Sequence, residues 1–400
     1  MKLGWFIAAL AALASVSVVA QEALPFGECR LGYWSSSRNL DNTQDLSQGL
    51  CFSNWRPSVS DRLSFGFSVQ AHIANEYDTT GDKARLREGY MDFGSDAWSL
   101  RVGRQLIAWG RADRINPTDY FSPRDFTLLV PEDDEQRRGI DALLAQYHLS
   151  DSNRLSLVLA RFEPHRMPQG LLPPDIARSA EPNDAEIAVK YEHIGNYIDW
   201  SVSYYDGYDR FPHYGLVLPP NNIPQLNADY ESLATWGFDA AAALGSWTLR
   251  TELTQSEQVR ANTGRKVSIT RAIVGIDHDF LSSANINLQW FSNHREHIEP
   301  IPISAIEEGL QKLNSEFGFH DQGLTLRVSN RYLNDQLKLE ISSIVDTQNH
   351  SYVIRPRISY AVNDQIRITS GADNFSGIEQ SYFGVRENNQ VYFIELNIIY

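Results

Sequence analysis

Leu63-Ser64-Phe65-Gly66-Phe67-Ser68-Val69-Gln70-Ala71-His72-Ile73 carries an apolar side chain at every odd position and a small or polar one at every even position. Successive side chains of a strand point to opposite faces, so this stretch predicts a strand with one apolar and one hydrated face. The pattern returns in Ile198, Trp200, Val202 and Tyr204, in Trp247, Leu249 and Leu253, in Ile286, Leu288 and Trp290, and in Leu337, Leu339 and Ile341. A soluble sandwich would alternate in the same way, so the connections must decide what the apolar face meets. Very short polar turns fall at 94–96, 150–153, 194–196, 244–246, 281–284, 333–335 and 362–364, and long connections fall between them at 110–138, 163–183, 207–230, 257–269 and 294–321. Alternating short and long connections predict an all-β, transmembrane, antiparallel up-and-down barrel of about sixteen strands, with tight periplasmic turns and long external loops.

Other features agree. Trp98, Trp109, Tyr147, Tyr191, Tyr204, Trp236, Trp290 and Tyr360 gather toward strand ends, where headgroup-level girdles would place them. Tyr392, Ile394, Leu396, Ile398 and Tyr400 alternate to the last residue, the form of a C-terminal signal read by the outer-membrane barrel-assembly machinery. Lys2 followed by an apolar run from Leu3 to Val19 and the exit Val18-Val19-Ala20 predicts a cleaved secretory signal over 1–20. The division expected is then a signal at 1–20, an N-terminal segment at 21–61 and a barrel at 62–400. Cys29 and Cys51 are the only cysteines of a chain bound for an oxidising compartment, so they predict a disulfide in that N-terminal segment.

Composition excludes several classes. After residue 20 no apolar run is long enough for a helical span. With 35 basic against 50 acidic residues and a formal charge of −15, nucleic acid is not an expected partner. The histidines are scattered, with His278 on a strand and His294, His297 and His350 at loops, and none sits in a nucleophile motif or at metal-ligand spacing. Neither catalysis nor a cofactor or metal is therefore expected.

The densest chemistry lies between Arg85 and Gly139. On a strand starting at Trp98, Arg104 would share the lipid face with Leu100 and Val102, at a cost of roughly 2 to 4 kcal/mol at mid-membrane. A bulge at Gly103 would relieve this by turning Arg104 into the lumen beside Arg101 and sending Ile107 and Trp109 outward. The connection that follows holds Arg111, Asp113, Arg114, Asp119, Arg124 and Asp125, then Glu132 to Glu135, stiffened by prolines at 117, 123 and 131. Charges of both signs on a stiff loop suit a constriction folded into the lumen. Its expected members are Arg101, Arg104, Arg111, Asp113, Arg114, Asp119, Arg124 and Asp125, faced by Arg327, Lys338, Glu340, Arg355 and Arg357 on later strands.

Leu86-Arg87-Glu88-Gly89-Tyr90, Val102-Gly103-Arg104-Gln105, Trp109-Gly110-Arg111-Ala112-Asp113, Pro117-Thr118-Asp119 and Pro123-Arg124-Asp125 together resemble a proteobacterial family of outer-membrane barrel proteins of unknown function. They are more faintly similar to alginate-export and carbohydrate porins. The family tends to be encoded beside large inner-membrane exporters, so the resemblance implies an export conduit with such an exporter as partner. The expected function is a porin-like channel for small polar or charged solutes, embedded in outer-membrane lipid, as the outer-membrane part of an export system. A closed barrel acting through its external loops as an adhesin or assembly partner is the alternative, and a lateral transporter of hydrophobic compounds is a third. Oligomeric state is left open.

Overall fold

On the strand from Trp247 to Val259, Glu252 and Thr254 have no more than 1% of their surface exposed, while Leu249 and Leu253 between and beside them are 41% and 47% exposed. Here the polar side chains are inside and the apolar ones outside, the reverse of a soluble core, and the same inversion recurs on other strands of the sheet.

The computed structural model describes residues 24–37, 45–75, 83–167, 177–178, 181–217, 225–261, 264–280, 283–296, 309–310, 314 and 320–400. The expected signal at 1–20 lies outside these residues. In chain order the strands are β1 (Phe26–Ser36), β2 (Asp45–Trp55), β3 (Ser58–Ser60), β4 (Leu63–Asn75), β5 (Ala84–Gly94), β6 (Trp98–Gln105), β7 (Ile140–Ser150), β8 (Asn153–Arg161), β9 (Ala177–Arg178), β10 (Ala185–His193) and β11 (Ile198–Tyr208). They continue with β12 (His213–Val217), β13 (Gln225–Asp229), β14 (Ser232–Leu244), β15 (Trp247–Val259), β16 (Lys266–Phe280), β17 (Ala284–Arg295), β18 (His320–Tyr332), β19 (Leu337–Asp346), β20 (Ser351–Ala361), β21 (Ile366–Ser376) and β22 (Val391–Ile399). Eighteen of them form a closed antiparallel ring, with β3 as an extra strand on β4. β9, β12 and β13 make a separate small sheet.

The ring closes where β1 pairs with β22, from Glu28 opposite Ile399 to Ser36 opposite Val391. Gly27 and Tyr400 exchange both backbone hydrogen bonds at 3.0 and 2.9 Å. A Cβ on Gly27 would stand 2.1 Å from the Phe52 carbonyl oxygen and 2.8 Å from the Tyr400 hydroxyl, so this closure needs glycine. Tyr392, Ile394, Ile398 and Tyr400 are exposed on the outer face of β22.

The structure corrects the count of about sixteen strands. The two additional strands are β1 and β2, which lie in the segment expected to precede the barrel. Their alternation is masked because Trp34, Leu46, Leu50 and Phe52 are apolar yet buried on the inner face. Cys29 and Cys51 are directly opposed on these strands and form a disulfide, which therefore ties two staves of the wall. The connection expected at 257–269 shrinks to 260–265 because β15 and β16 run further than their alternation showed. Thr347 to His350 forms a tight turn at the end of the barrel that otherwise carries the long connections.

Residues Val391–Tyr400 are the partner of both β1 and β21, so deleting them leaves two unpaired edges that a membrane does not tolerate. Refolding in detergent is expected to give no compact, heat-modifiable band on gels; a truncated chain that still shows one would mean that the ring closes without β22.

Candidate functional site

Within the ring, residues 106–139 between β6 and β7 fold inward as an insert. Its only regular element among the described residues is a short 3-10 turn, Asp133–Gln136. Apolar contacts seat it at two places. Ile107, Trp109, Tyr120 and Phe121 pack against Ile140, Ala142, Val158, Ala160, Ala188 and Tyr205 of the wall. Leu128 and Val130 pack against Leu50 and Phe52, with Leu129 beside Trp34, Leu46 and Phe393. Each large apolar side chain so covered contributes roughly 1.5 to 3 kcal/mol. This explains why β8 reads Leu155-Ser-Leu157-Val158-Leu159-Ala160, apolar toward both sides: lipid covers one face and the insert the other.

Polar contacts set the path of the insert across the lumen. The Glu252 carboxylate on β15 accepts the backbone N–H of Arg111 and of Ala112, both at 2.6 Å, and of Thr118 at 3.1 Å, together with the Thr118 hydroxyl at 2.8 Å. The Arg111 guanidinium lies 3.0 Å from Glu192 on β10 and 2.9 Å from Asp239 on β14. Asp113 meets Arg327 at 3.0 Å, Arg114 lies 3.7 Å from Glu340, and Asp133 meets Arg355 at 2.9 Å. On the far side Glu135 pairs with Arg30 of β1, and Gln48 of β2 accepts the Leu129 N–H at 2.8 Å. A Cβ on Gly237 would stand 2.0 Å from the Tyr120 hydroxyl, so β14 makes room for the insert at that point.

Most of the residues expected to form a constriction meet here, in roles that differ among them. Arg111, Asp113 and Arg114 reach the wall. Asp119 turns back to Arg137 at 3.0 Å and accepts the Ser122 hydroxyl at 2.7 Å, and burial lifts its carboxyl above the usual range. Asp125 is buried, bonded to Thr127 and 3.2 Å from Arg85. Arg124 offers its backbone N–H to His165 at 2.8 Å. Of the facing residues, Arg327, Glu340 and Arg355 touch the insert, whereas Lys338 pairs with Glu340 at 2.8 Å and Arg357 with Asp373 at 2.6 Å.

Arg101 and Arg104 do not stand together. Gly103 has φ +125°, and a Cβ there would meet the Gly89 carbonyl oxygen at 2.4 Å, yet the register on both sides of β6 runs through it without a bulge. The irregularity lies on the facing strand, where Arg87 is the extra residue between Leu86 and Glu88. Arg101 pairs with Asp92 at 2.5 Å over the Tyr90 ring, and Arg104 pairs with Glu163 at 2.9 Å. Ile107 and Trp109 turn inward and are buried rather than outward-facing, because the chain has already left the wall after Gln105. Trp109 is thus not a girdle residue; Trp98, Tyr147, Trp236, Trp290 and Tyr360 are exposed on the wall. The anchors Glu252, Glu192, Asp239 and Arg30 were not expected, since each occupies an ordinary polar position and its partner is far away in sequence.

Eighteen strands in a closed ring, apolar outside and polar inside, settle the class. This is an outer-membrane β-barrel with a porin fold. No protein-family profile and no curated protein matches the sequence. Solved structures do resemble the barrel. OccAB1 of Acinetobacter baumannii superposes with a TM-score of 0.58 at 10% identity, covering 96% of this chain and 99% of that one. OpdK of Pseudomonas aeruginosa, solved with vanillate, gives 0.57 at 10% identity with 94% and 97% covered. OccK11 (OpdR) of the same organism gives 0.56 at 10%, with 94% of each chain covered.

Two predictions test the docking. Glu252→Ala would strip buried N–H groups of their acceptor, at about 1 to 3 kcal/mol for each group left unsatisfied. The barrel is expected to stay folded while protease added from outside cleaves within 106–139 faster than in the parent; equal cleavage would show that Glu252 is not the anchor. His165 lies outside the strands, its ring tilted against that of Phe211 with centroids 4.2 Å apart. Burial, with Arg210, Arg124 and Arg138 nearby, pushes it down to about 3 from 6.5. The undocked segment takes up a proton as pH falls through about 6.5 and the docked one does not, so docking weakens between about 6.5 and 3. Hydrogen exchange of residues 120–130 should rise over that window, and His165→Gln, which keeps an acceptor for Arg124, should flatten the rise.

Proposed function

We propose that the barrel is an outer-membrane channel that passes small polar or charged solutes, with the insert as the element that selects them. The observation that carries this is the set of ion pairs that Arg111, Asp113 and Arg114 of the insert make with Glu192, Asp239, Arg327 and Glu340 of the inner wall. Facing charges fixed at short distances sort solutes by charge and size. The resemblance of residues 86–125 to barrels encoded beside inner-membrane exporters supports service as the outer-membrane part of an export system. The alternation from Tyr392 to Tyr400 supports recognition by the barrel-assembly machinery.

A second reading has an observation of its own. The insert touches β2 and β15, which lie half a circumference apart in the ring. A barrel crossed in this way and lacking conductance would act through its external loops, as an adhesin or an assembly partner.

Planar-bilayer recording of refolded residues 21–400 under a potassium chloride gradient separates the two. Stable single-channel steps are expected, and Arg111→Gln, which leaves Glu192 and Asp239 without their shared cation, should move the reversal potential toward cation preference. Steps with an unchanged reversal potential would remove Arg111 from the selective path. Silence from a barrel shown to be folded by gel mobility would favour the loop-mediated reading.

A further inference from the structure

The last turn of the insert, Asp133–Gln136, has no buried residue of its own. It runs between the apolar seat of Leu128 and Val130 and the start of β7 at Ile140, and charge holds it to the wall: Asp133 to Arg355 at 2.9 Å and Glu135 to Arg30 of β1 at 2.6 Å. Arg30 is shared three ways at the seam where β1 meets β22. Glu28 meets it at 2.6 Å, and Glu395 of β22 lies 3.7 Å from it. The three carboxylates are not equally supplied with donors. Glu28 also accepts the Asn397 side-chain N–H at 2.7 Å, whereas Glu395, only 4% exposed, receives no hydrogen bond among the described residues. The residues directly opposite Glu395 on the neighbouring strands, Gly32 and Thr369, carry no charge. Beyond contact distance, Arg87 of β5 faces Glu28 and Glu135, and Glu132 of the insert lies near Glu135. Three ionised carboxylates on one guanidinium would leave negative charge in excess on a wall with little water. A buried charge without donors is costly, and carboxylates placed this closely titrate as a set. Burial, with Glu28 nearby, lifts the Glu135 carboxyl above its usual range in spite of Arg30.

We propose that Glu28, Glu135 and Glu395 hold one proton between them while the insert is docked, and that loss of this proton releases the turn Asp133–Gln136 from the seam. The sign follows from linkage. The docked set keeps a proton that separated carboxylates, titrating near 4.5, have given up, so this hold is complete below about 4.5 and weakens as the pH rises past it. The direction is opposite to that set by His165 at the other end of the docked segment. The hold belongs to the wall and the insert; that its release widens the passage rests on the channel reading.

The test is amide hydrogen exchange of residues 132–137 in the refolded full barrel between about pH 5 and 9, corrected for the intrinsic effect of pH on exchange. Protection is expected to fall about tenfold in the wild type, the equivalent of one pKa unit. It should stay level in Glu395→Gln, which keeps the shape of the protonated side chain and cannot ionise. Should that variant not fold, Glu135→Gln, outside the wall, takes its place and is expected to level the profile in the same way. Protection independent of pH in the wild type, or a fall of the same size in the variants, overturns the proposal. Planar-bilayer recording over the same range separates the hold from the channel. Conductance that rises with pH in the wild type and stays level in Glu395→Gln supports both. Protection that depends on pH in a silent barrel keeps the hold and removes the channel reading; conductance with level protection does the reverse.

Discussion

A carboxylate with no exposed surface holds the interior of this barrel together. Glu252 takes three backbone N–H groups and a hydroxyl from one short stretch of the insert, 111–118, as a helix end or a strand edge would be capped in a soluble protein. An irregular segment inside a barrel must satisfy its own backbone groups. Here the wall supplies the acceptor, and the remaining ion pairs follow from the path that this anchor fixes. Arg111 can reach Glu192 and Asp239 together because its backbone is pinned at β15.

The insert in turn decides the chemistry of the wall. Where it lies against β7, β8, β10 and β2, the inner face is apolar, with Ile140, Val158, Ala188 and Leu50 buried. Where it meets the wall through charge, the inner face presents Arg327, Glu340 and Arg355. The lumen is therefore not a uniform polar tube but a mould of one folded loop, and most of its buried charges belong to pairs joining distant parts of the chain. Removing one partner of such a pair leaves the other uncompensated, which costs far more than a surface ion pair contributes.

How far the sequence could be read depended on what covered each inner face. From β4 onward the alternation is clean wherever water or polar groups fill the lumen, as on β15, β17 and β19, and these strands were legible. β1 and β2 were not, because Trp34, Leu46, Leu50 and Phe52 point inward at an apolar part of the insert and erase the contrast between faces. The same masking makes β8 look uniformly apolar. At the site, the charge pattern of 111–125 marked the insert, while Glu252, indistinguishable from any hydrated position on an alternating strand, gave no sign of its role. The charge that follows Gly103 points to a bulge there, whereas the irregularity falls at Arg87, where no break in polarity shows.

The sequence by itself determined the class: period-two alternation, short turns on one side and an apolar outer face leave a membrane barrel as the structure that satisfies every backbone group in lipid. It also marked the segment that carries the lumenal charges and the two cysteines that pair. Tertiary structure alone decided the strand number, the closure of β1 on β22, the turning of Trp109 inward and the partners of each charge. Those depend on contacts between residues far apart in the chain, 141 positions for Arg111 and Glu252 and 222 for Asp133 and Arg355, and local pattern holds no record of which distant side chain will face which.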